Sequence, residues 1–334
     1  MKIVVFGSGL IGTYVGASLR AAGADIVLIG RARMQQHILD HDLVLTDLHQ
    51  RRTTLAATEL PFELTPERLA EADLVLVTVK SSATAEAAKI IGRHAKPHAL
   101  VMSLQNGIGN ATVLQTALQN NVVLAGMVPF NVVQTPDGRL HRGSDGDVMV
   151  QASPLLTPWL SIFAAASLPL LQRDDFLAVQ WGKLLLNLNN SVNALSALPL
   201  KTQLSQRAYR RCLALLVDEA LSALEGAGIE PARVTRIAPQ RLPLLLRLPD
   251  FLFVRIAAQL LRIDPEARSS MAEDLQAGRS TEIDYLNGAV IALAAAHGGD
   301  APANRRMVAL VRRAESGGEV KYGGTTLLRL LQRD

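Results

Sequence analysis

The residues able to do chemistry fall into a few groups, and the first opens the chain. Gly7-Ser8-Gly9-Leu10-Ile11-Gly12 follows the apolar run Ile3-Val4-Val5-Phe6 and precedes a helix-compatible stretch, Tyr14 to Ala22. In such a spacing the first glycine permits a tight turn, the second lets backbone approach a pyrophosphate, and the third lets helix pack on strand. The phosphates then lie on N–H groups at the helix N-terminus, where the dipole favours negative charge. Strand, triplet and helix in that order predict a dinucleotide site. The end of the next strand, Asp25-Ile-Val-Leu-Ile29, selects the dinucleotide. About 20 residues past the glycines, an NAD site carries an acid for the ribose 2′-hydroxyl. Here Gly30-Arg31-Ala32-Arg33 offers no carboxylate. A guanidinium grips a 2′-phosphate with paired hydrogen bonds, so Arg31 predicts NADP(H), while Arg33 reads equally well as a solvated loop charge.

Lys80 directly follows Leu74-Val-Leu-Val-Thr-Val79, and Asn106-Gly-Ile-Gly109 follows the run ending at Ser103. Ligands of doubly wound sheets bind beyond the carboxyl ends of the strands, so both residues are eligible to face a cofactor. A surface lysine starting a helix and a turn asparagine before Gly107 are the plainer alternatives. Further along, Lys183 and Asn187 stand i, i+4 among leucines and share one helix face. Burial there would lower the lysine pKa toward the range useful for proton transfer, whereas a lysine at a helix edge would snorkel to solvent. In the last group, Ser269-Ser270-Met271 leads to Thr281-Glu282-Ile283-Asp284. Thr281-Glu282 suits a helix N-terminus, where the dipole favours a carboxylate, as well as it suits a catalytic acid.

The elements that must position these groups are legible as patterns. Continuous apolar runs at 74–79, 99–103 and 122–125 read as strands buried on both faces of a parallel sheet, alternating with helical stretches. Thr135-Pro-Asp-Gly138, between Val132-Val133 and Leu140, reads as a hairpin turn. From Asp175 onward apolar residues recur at helical spacing, which predicts two domains, residues 1–174 and 175–334. The length of 334 residues exceeds the range in which one core keeps growing. With 34 basic against 30 acidic side chains and 4% aromatics, the chain lacks the charged surface and stacking platforms of a nucleic-acid binder. Leu242 to Ile263 is rich in Leu and Phe but broken by Pro243, Arg247, Pro249, Asp250, Arg255 and Arg262, so it predicts a core or interface helix and no membrane span. Cys212 reads as a small buried hydrophobe, and a single cysteine suits a reducing cytoplasm. The N-terminus lacks the pattern of a signal peptide. Ser316-Gly-Gly and Gly323-Gly324 predict a mobile C-terminal end.

The glycine triplet with Arg31, Val79-Lys80, Leu104-Gln-Asn106-Gly107, Lys183 with Asn187, and the Ser269-to-Asp284 segment occur in the order found in the ketopantoate reductases. These are the 2-dehydropantoate 2-reductases of pantothenate biosynthesis, and the resemblance runs from residue 1 to about 315. It implies an α/β Rossmann-type doubly wound N-terminal domain that binds NADP. An all-α C-terminal domain, arranged like that of 6-phosphogluconate dehydrogenase, would follow, with the active site in the cleft between. It implies NADPH-dependent reduction of 2-dehydropantoate (ketopantoate) to (R)-pantoate. Residue by residue, Lys183 resembles the family's general acid and Glu282 its second catalytic residue. Gly7, Ser8, Gly9, Leu10, Ile11, Gly12, Arg31, Lys80 and Asn106 are then cofactor contacts, and Asn106, Asn187, Asn190 and Ser270 substrate contacts. The family pattern has asparagines where this chain has Ser191 and Ala267, both at substrate positions. The expected partners are a small 2-oxo acid and a second copy of the chain in a homodimer, with no metal, membrane or nucleic acid. The competing readings are a reductase of another 2-oxo acid on the same fold, and a non-enzymatic NADP sensor without need of Lys183 and Glu282.

Overall fold

The computed structural model describes residues 1–256 and 267–333, which divide into two compact units, Met1–Phe176 and Leu177 onward. The strands of the first unit are β1 (Lys2–Phe6), β2 (Asp25–Ile29), β3 (Leu43–Asp47), β4 (Arg52–Leu55), β5 (Phe62–Glu63) and β6 (Leu74–Val77). They continue with β7 (Leu100–Ser103), β8 (Val123–Met127), β9 (Val132–Gln134), β10 (Leu140–Arg142), β11 (Val148–Gln151) and β12 (Leu170–Arg173). Its helices are α1 (Leu10–Ala21), α2 (Ala32–His41), α3 (Thr84–His94), α4 (Asn110–Ala117) and α5 (Leu160–Ala165).

An eight-stranded sheet runs in the order β12-β11-β8-β7-β6-β1-β2-β5. It is parallel from β5 through β8, and β11 is antiparallel to β8. The apolar runs are continuous because both faces are covered. Ile3 and Val5 point into one hydrophobic core, with Leu28, Leu76 and Met102, while Val4 points into another, with Val27, Val75 and Val101. β1 lies between β2 and β6, so the order in which strands are added across the sheet reverses at β1, and doubly wound sheets open a crevice at the carboxyl end of such a strand.

A second sheet, in the order β4-β3-β10-β9, was not legible in the chain beyond its hairpin. That hairpin forms as expected: β9 and β10 pair antiparallel, and Gly138, at φ +85°, donates to the Thr135 carbonyl at 2.9 Å. β3 and β4 pair antiparallel with one another, and β3 joins β10 in parallel. The segment expected as a strand to Val79 ends at Val77, and the Thr78 hydroxyl donates to the Gly7 carbonyl at 2.9 Å.

The second unit is helical: α6 (Phe176–Asn187), α7 (Asn189–Ser196), α8 (Leu200–Ser205), α9 (Arg207–Gly226), α10 (Leu242–Leu246) and α11 (Asp250–Ile256). After the undescribed segment come α12 (Ser270–Gln276), α13 (Ile283–Ala296), α14 (Pro302–Glu315) and α15 (Gly324–Leu331). The long α9 is the hub and packs on α10, α13, α14 and α15. Cys212 is fully buried on it, as expected. The expectation of a mobile C-terminal end is corrected: α15 closes on α9, with Leu327 and Leu331 buried and the Tyr209 hydroxyl donating to the Tyr322 carbonyl at 2.8 Å. Gly324 serves packing, since a Cβ there would stand 2.9 Å from the Ala208 Cβ. The Leu242-to-Ile263 stretch is not one helix but the two short ones α10 and α11, and residues 257–263 of it lie outside the described residues. Arg210, fully buried, joins these helices by donating to the carbonyls of Leu246 and Leu248. Among the described residues no helix is long and apolar enough to cross a membrane.

Candidate active site

In the first unit the expected cofactor residues sit at the carboxyl ends of adjacent strands. The loop after β1 is pinned to the end of β2: the Gly7 and Ser8 amides donate to the Ile29 carbonyl at 2.9 and 3.0 Å, and the Ser8 hydroxyl donates to it at 3.1 Å. Gly7 adopts φ +110°, a left-handed-side conformation that favours glycine. Gly12 is packed so closely that a Cβ would overlap Thr78 Oγ1. Gly9 differs, because nothing lies within 4 Å of where its Cβ would be. That open side, next to the first-turn N–H groups of α1, is where a pyrophosphate would approach. No side chain caps α1 and no acid sits in its first turn, so nothing in that turn competes with an anion.

Arg31 is exposed and stands at the N-cap of α2, two residues past the strand end to which the glycine loop is pinned. Gly30 makes this approach feasible, since a Cβ there would meet Ser8 Cβ at 2.8 Å. Arg33 lies exposed in the first turn of the same helix. Lys80 is half-buried at the head of a short 3₁₀ turn, Ser81–Ala83, after β6. Asn106 is exposed after β7, and its backbone carbonyl accepts from Ser81 Oγ at 2.8 Å and from Asn110 Nδ2 at 2.7 Å. Thr78 and Gln105 also stand at these strand ends, and Asn110 opens α4. In the chain their only signal is a polar side chain within two residues of a strand end or a glycine.

In the second unit Lys183 and Asn187 lie on α6 at the expected i, i+4 spacing, and both are only partly exposed. Burial lowers the Lys183 ammonium from the ordinary lysine range to about 8, because desolvation disfavours its charged form. Gly182, Leu185 and Leu186, on a different face of α6 from Lys183 and Asn187, border only a small hollow with Val234, Thr235, Ile237 and Leu242. Asn190 on α7 is brought to α12: its carbonyl accepts from Ser269 Oγ at 3.2 Å, and Asn193 Oδ1 accepts from the Ser269 amide at 2.9 Å. Ser269 Oγ also caps α12 through the Ala272 amide, leaving the next residue, Ser270, exposed. Ser191 is fully buried, and its hydroxyl donates to the Leu188 carbonyl at 2.9 Å. Glu282 occupies the N-cap of α13, and its carbonyl accepts from Tyr285 and Leu286, while Thr281 Oγ1 accepts from the Ile283 amide. The helix-start reading of Thr281-Glu282 therefore holds for the backbone and for Thr281, and the Glu282 carboxylate is not used as a cap.

Comparison with known proteins agrees along the whole length. The family model described as ketopantoate reductase PanE/ApbA matches residues 3–154, and that described as ketopantoate reductase PanE/ApbA C terminal matches residues 175–315. The 2-dehydropantoate 2-reductase of Halobacterium salinarum is 26% identical over 324 residues, covering 95% of this chain and 100% of that protein. A solved PanE/ApbA family ketopantoate reductase from Ralstonia eutropha is 29% identical with a TM-score of 0.80, covering 95% of this chain and 99% of that one. A D-mandelate dehydrogenase solved with NADH and anilino(oxo)acetate shares the fold, at 20% identity and TM-score 0.76 over 95% and 99% of the two chains. On these matches the chain belongs to the ketopantoate reductase family, NAD(P)-dependent oxidoreductases that act on CH–OH groups.

Proposed function

We propose that this protein reduces 2-dehydropantoate to (R)-pantoate with NADPH, in the pathway to pantothenate, and that Lys183 is its general acid. The observation that carries the reading is the lowered Lys183 pKa of about 8 on a helix that also presents Asn187. Such a lysine is still mostly protonated at neutral pH, yet it releases its proton more readily than a solvated one.

The bound nicotinamide would supply a hydride to the substrate ketone. The Gly7–Gly12 loop would hold the pyrophosphate, and Arg31 the 2′-phosphate that NADH lacks; Lys80 and Asn106 would complete the cofactor side. Lys183 stabilises the oxyanion that develops on the ketone oxygen and then protonates it. Glu282 orients substrate and lysine. Asn187, Asn190 and Ser270 offer hydrogen bonds to the carboxylate and terminal hydroxyl, and leucines of the Lys183 helix would receive the gem-dimethyl group. A cytoplasmic homodimer is part of the same proposal, which light scattering would overturn by returning a monomer mass.

The buried Ser191 favours one second reading, a reductase of another 2-oxo acid, because its hydroxyl is committed to Leu188 and offers nothing to a ligand. NADPH oxidation followed at 340 nm against a panel of branched 2-oxo acids tests both. Turnover of ketopantoate supports the first reading, turnover of a different 2-oxo acid supports the second, and no turnover with any member sinks both.

A further inference from the structure

The turn after β6 and the loop after β7 are joined by a buried polar relay. Ser103 Oγ donates to Gln105 Oε1 at 2.9 Å, and the Gln105 amide donates both to the Val79 carbonyl at 3.1 Å and to Thr84 Oγ1 at 2.7 Å. Thr84 Oγ1 donates to Asn110 Oδ1 at 2.7 Å. Asn110 Nδ2 in turn donates to Ser81 Oγ at 3.1 Å and to the Asn106 carbonyl at 2.7 Å. Thr84, Gln105 and Asn110 are 2%, 7% and 4% exposed. Both N–H groups of each amide are used, and so are the amide oxygens, so the network has one consistent direction.

The ends of this relay are its informative part. One is the carbonyl of Val79, the residue before Lys80, and the other is the carbonyl of Asn106 itself. Loops at the carboxyl edge of a sheet are ordinarily the mobile parts of a fold. A side chain that must meet a reacting group within about 0.5 Å needs its backbone tied down, and a misplacement near 1 Å costs on the order of 100-fold in rate.

We propose that Gln105, Thr84 and Asn110 are positioning residues: their buried amide–hydroxyl–amide relay locks the Lys80 turn to the Asn106 loop and so sets the spacing of the two side chains offered to the dinucleotide and its 2-oxo acid. The proposal rests on the dinucleotide reading above, and its test separates the two. Thr84→Val keeps the shape and removes the hydroxyl, and Thr84→Ser restores it; Gln105→Met breaks the relay at a second point. In the full-length protein, Thr84→Val is expected to lower kcat for the 2-oxo acid and raise its KM, for a loss of at least about tenfold in kcat/KM per folded molecule. Thr84→Ser should return to within about threefold of the unmodified protein. Hydrogen exchange should rise together in residues 79–83 and 104–109, although the substitution lies in neither segment. A folded Thr84→Val or Gln105→Met protein with unchanged kcat and KM overturns the proposal, as does faster exchange confined to α3. If the unmodified protein binds neither NADPH nor NADH, the functional reading fails, and the paired exchange alone then decides whether the relay couples the loops.

Discussion

Thr78 and Gly12 are in direct packing contact at the head of the glycine loop after β1. Thr78 Oγ1 donates to the Gly7 carbonyl at 2.9 Å, and it occupies the space that a Cβ on Gly12 would need. The end of β6, the glycine turn and the start of α1 thus form one packed unit, in which Gly9 alone of the three glycines faces open space.

The two glycines should therefore fail differently. Gly12→Ala must push Thr78 or the Gly7 carbonyl aside and should destabilise the protein by about 1–3 kcal/mol, the usual range for overpacking. Gly9→Ala has room in the protein alone and should melt near the unmodified temperature, while NADPH affinity falls at least about tenfold because the methyl stands where phosphate approaches. Thermal melts and NADPH titrations of both variants check this, and unimpaired binding by Gly9→Ala would remove the pyrophosphate assignment.

In the proposed function, cofactor choice rests on Arg31. Arg31→Ala should weaken NADPH by about 10–150-fold, the equivalent of one charge-assisted contact of about 1.5–3 kcal/mol, and leave NADH nearly unchanged. Equal specificity constants for NADPH and NADH in the unmodified protein would overturn the assignment.

Lys183 makes a pH prediction with a definite sign. Its pKa in the folded chain, about 8, lies below the ordinary lysine value of 10.5. Charging the buried amine therefore costs stability in full below pH 8, and the cost is relieved as pH rises toward the unfolded value. In the proposed reaction the Lys183 ammonium is the acid, so kcat/KM should fall as pH rises through about 8. Lys183→Ala should lower turnover about 100-fold or more, the scale of general acid catalysis, while NADPH still binds. A variant with normal turnover would reduce Lys183 to a packing residue.

The substrate side makes a discriminating prediction. A site that hydrogen-bonds the terminal hydroxyl of ketopantoate leaves polar groups unpaired when that hydroxyl is missing. Ketopantoate should then exceed 2-oxoisovalerate by well over about tenfold in kcat/KM. Equal rates would keep the reductase and retire ketopantoate as its substrate.

Cys212 should be chemically silent. It is fully buried on α9, and desolvation pushes its thiol up to about 12, so little thiolate exists at neutral pH. Thiol reagents should label it only after unfolding, and rapid labelling of the native protein would contradict the packing of α15 on α9.

Much of the first unit's sheet and its glycine turn was legible because its signals are local. A buried parallel strand is an unbroken apolar run, a glycine triplet is a spacing, and the lack of an acid after β2 is a matter of residue type. Lys183 and Asn187 were legible for the same reason, since an i, i+4 pair shares a helix face wherever the helix lies. What required the tertiary structure is whatever depends on residues far apart in the chain. β3 looks like any short amphipathic segment until β10 pairs with it, bringing Thr46 and His141 together across 95 residues at 2.9 Å. Gly323 and Gly324 read as loose chain until α15 meets α9. Gln105 and Asn110 carry no distinctive signal in the chain until Thr84, 21 and 26 positions away, closes a hydrogen-bonded relay with them. The Lys183 pKa belongs to the same class. Residue type makes it a base, but only packing removes the water that would hold its proton, and desolvation is a property of the folded surroundings rather than of neighbours in the chain.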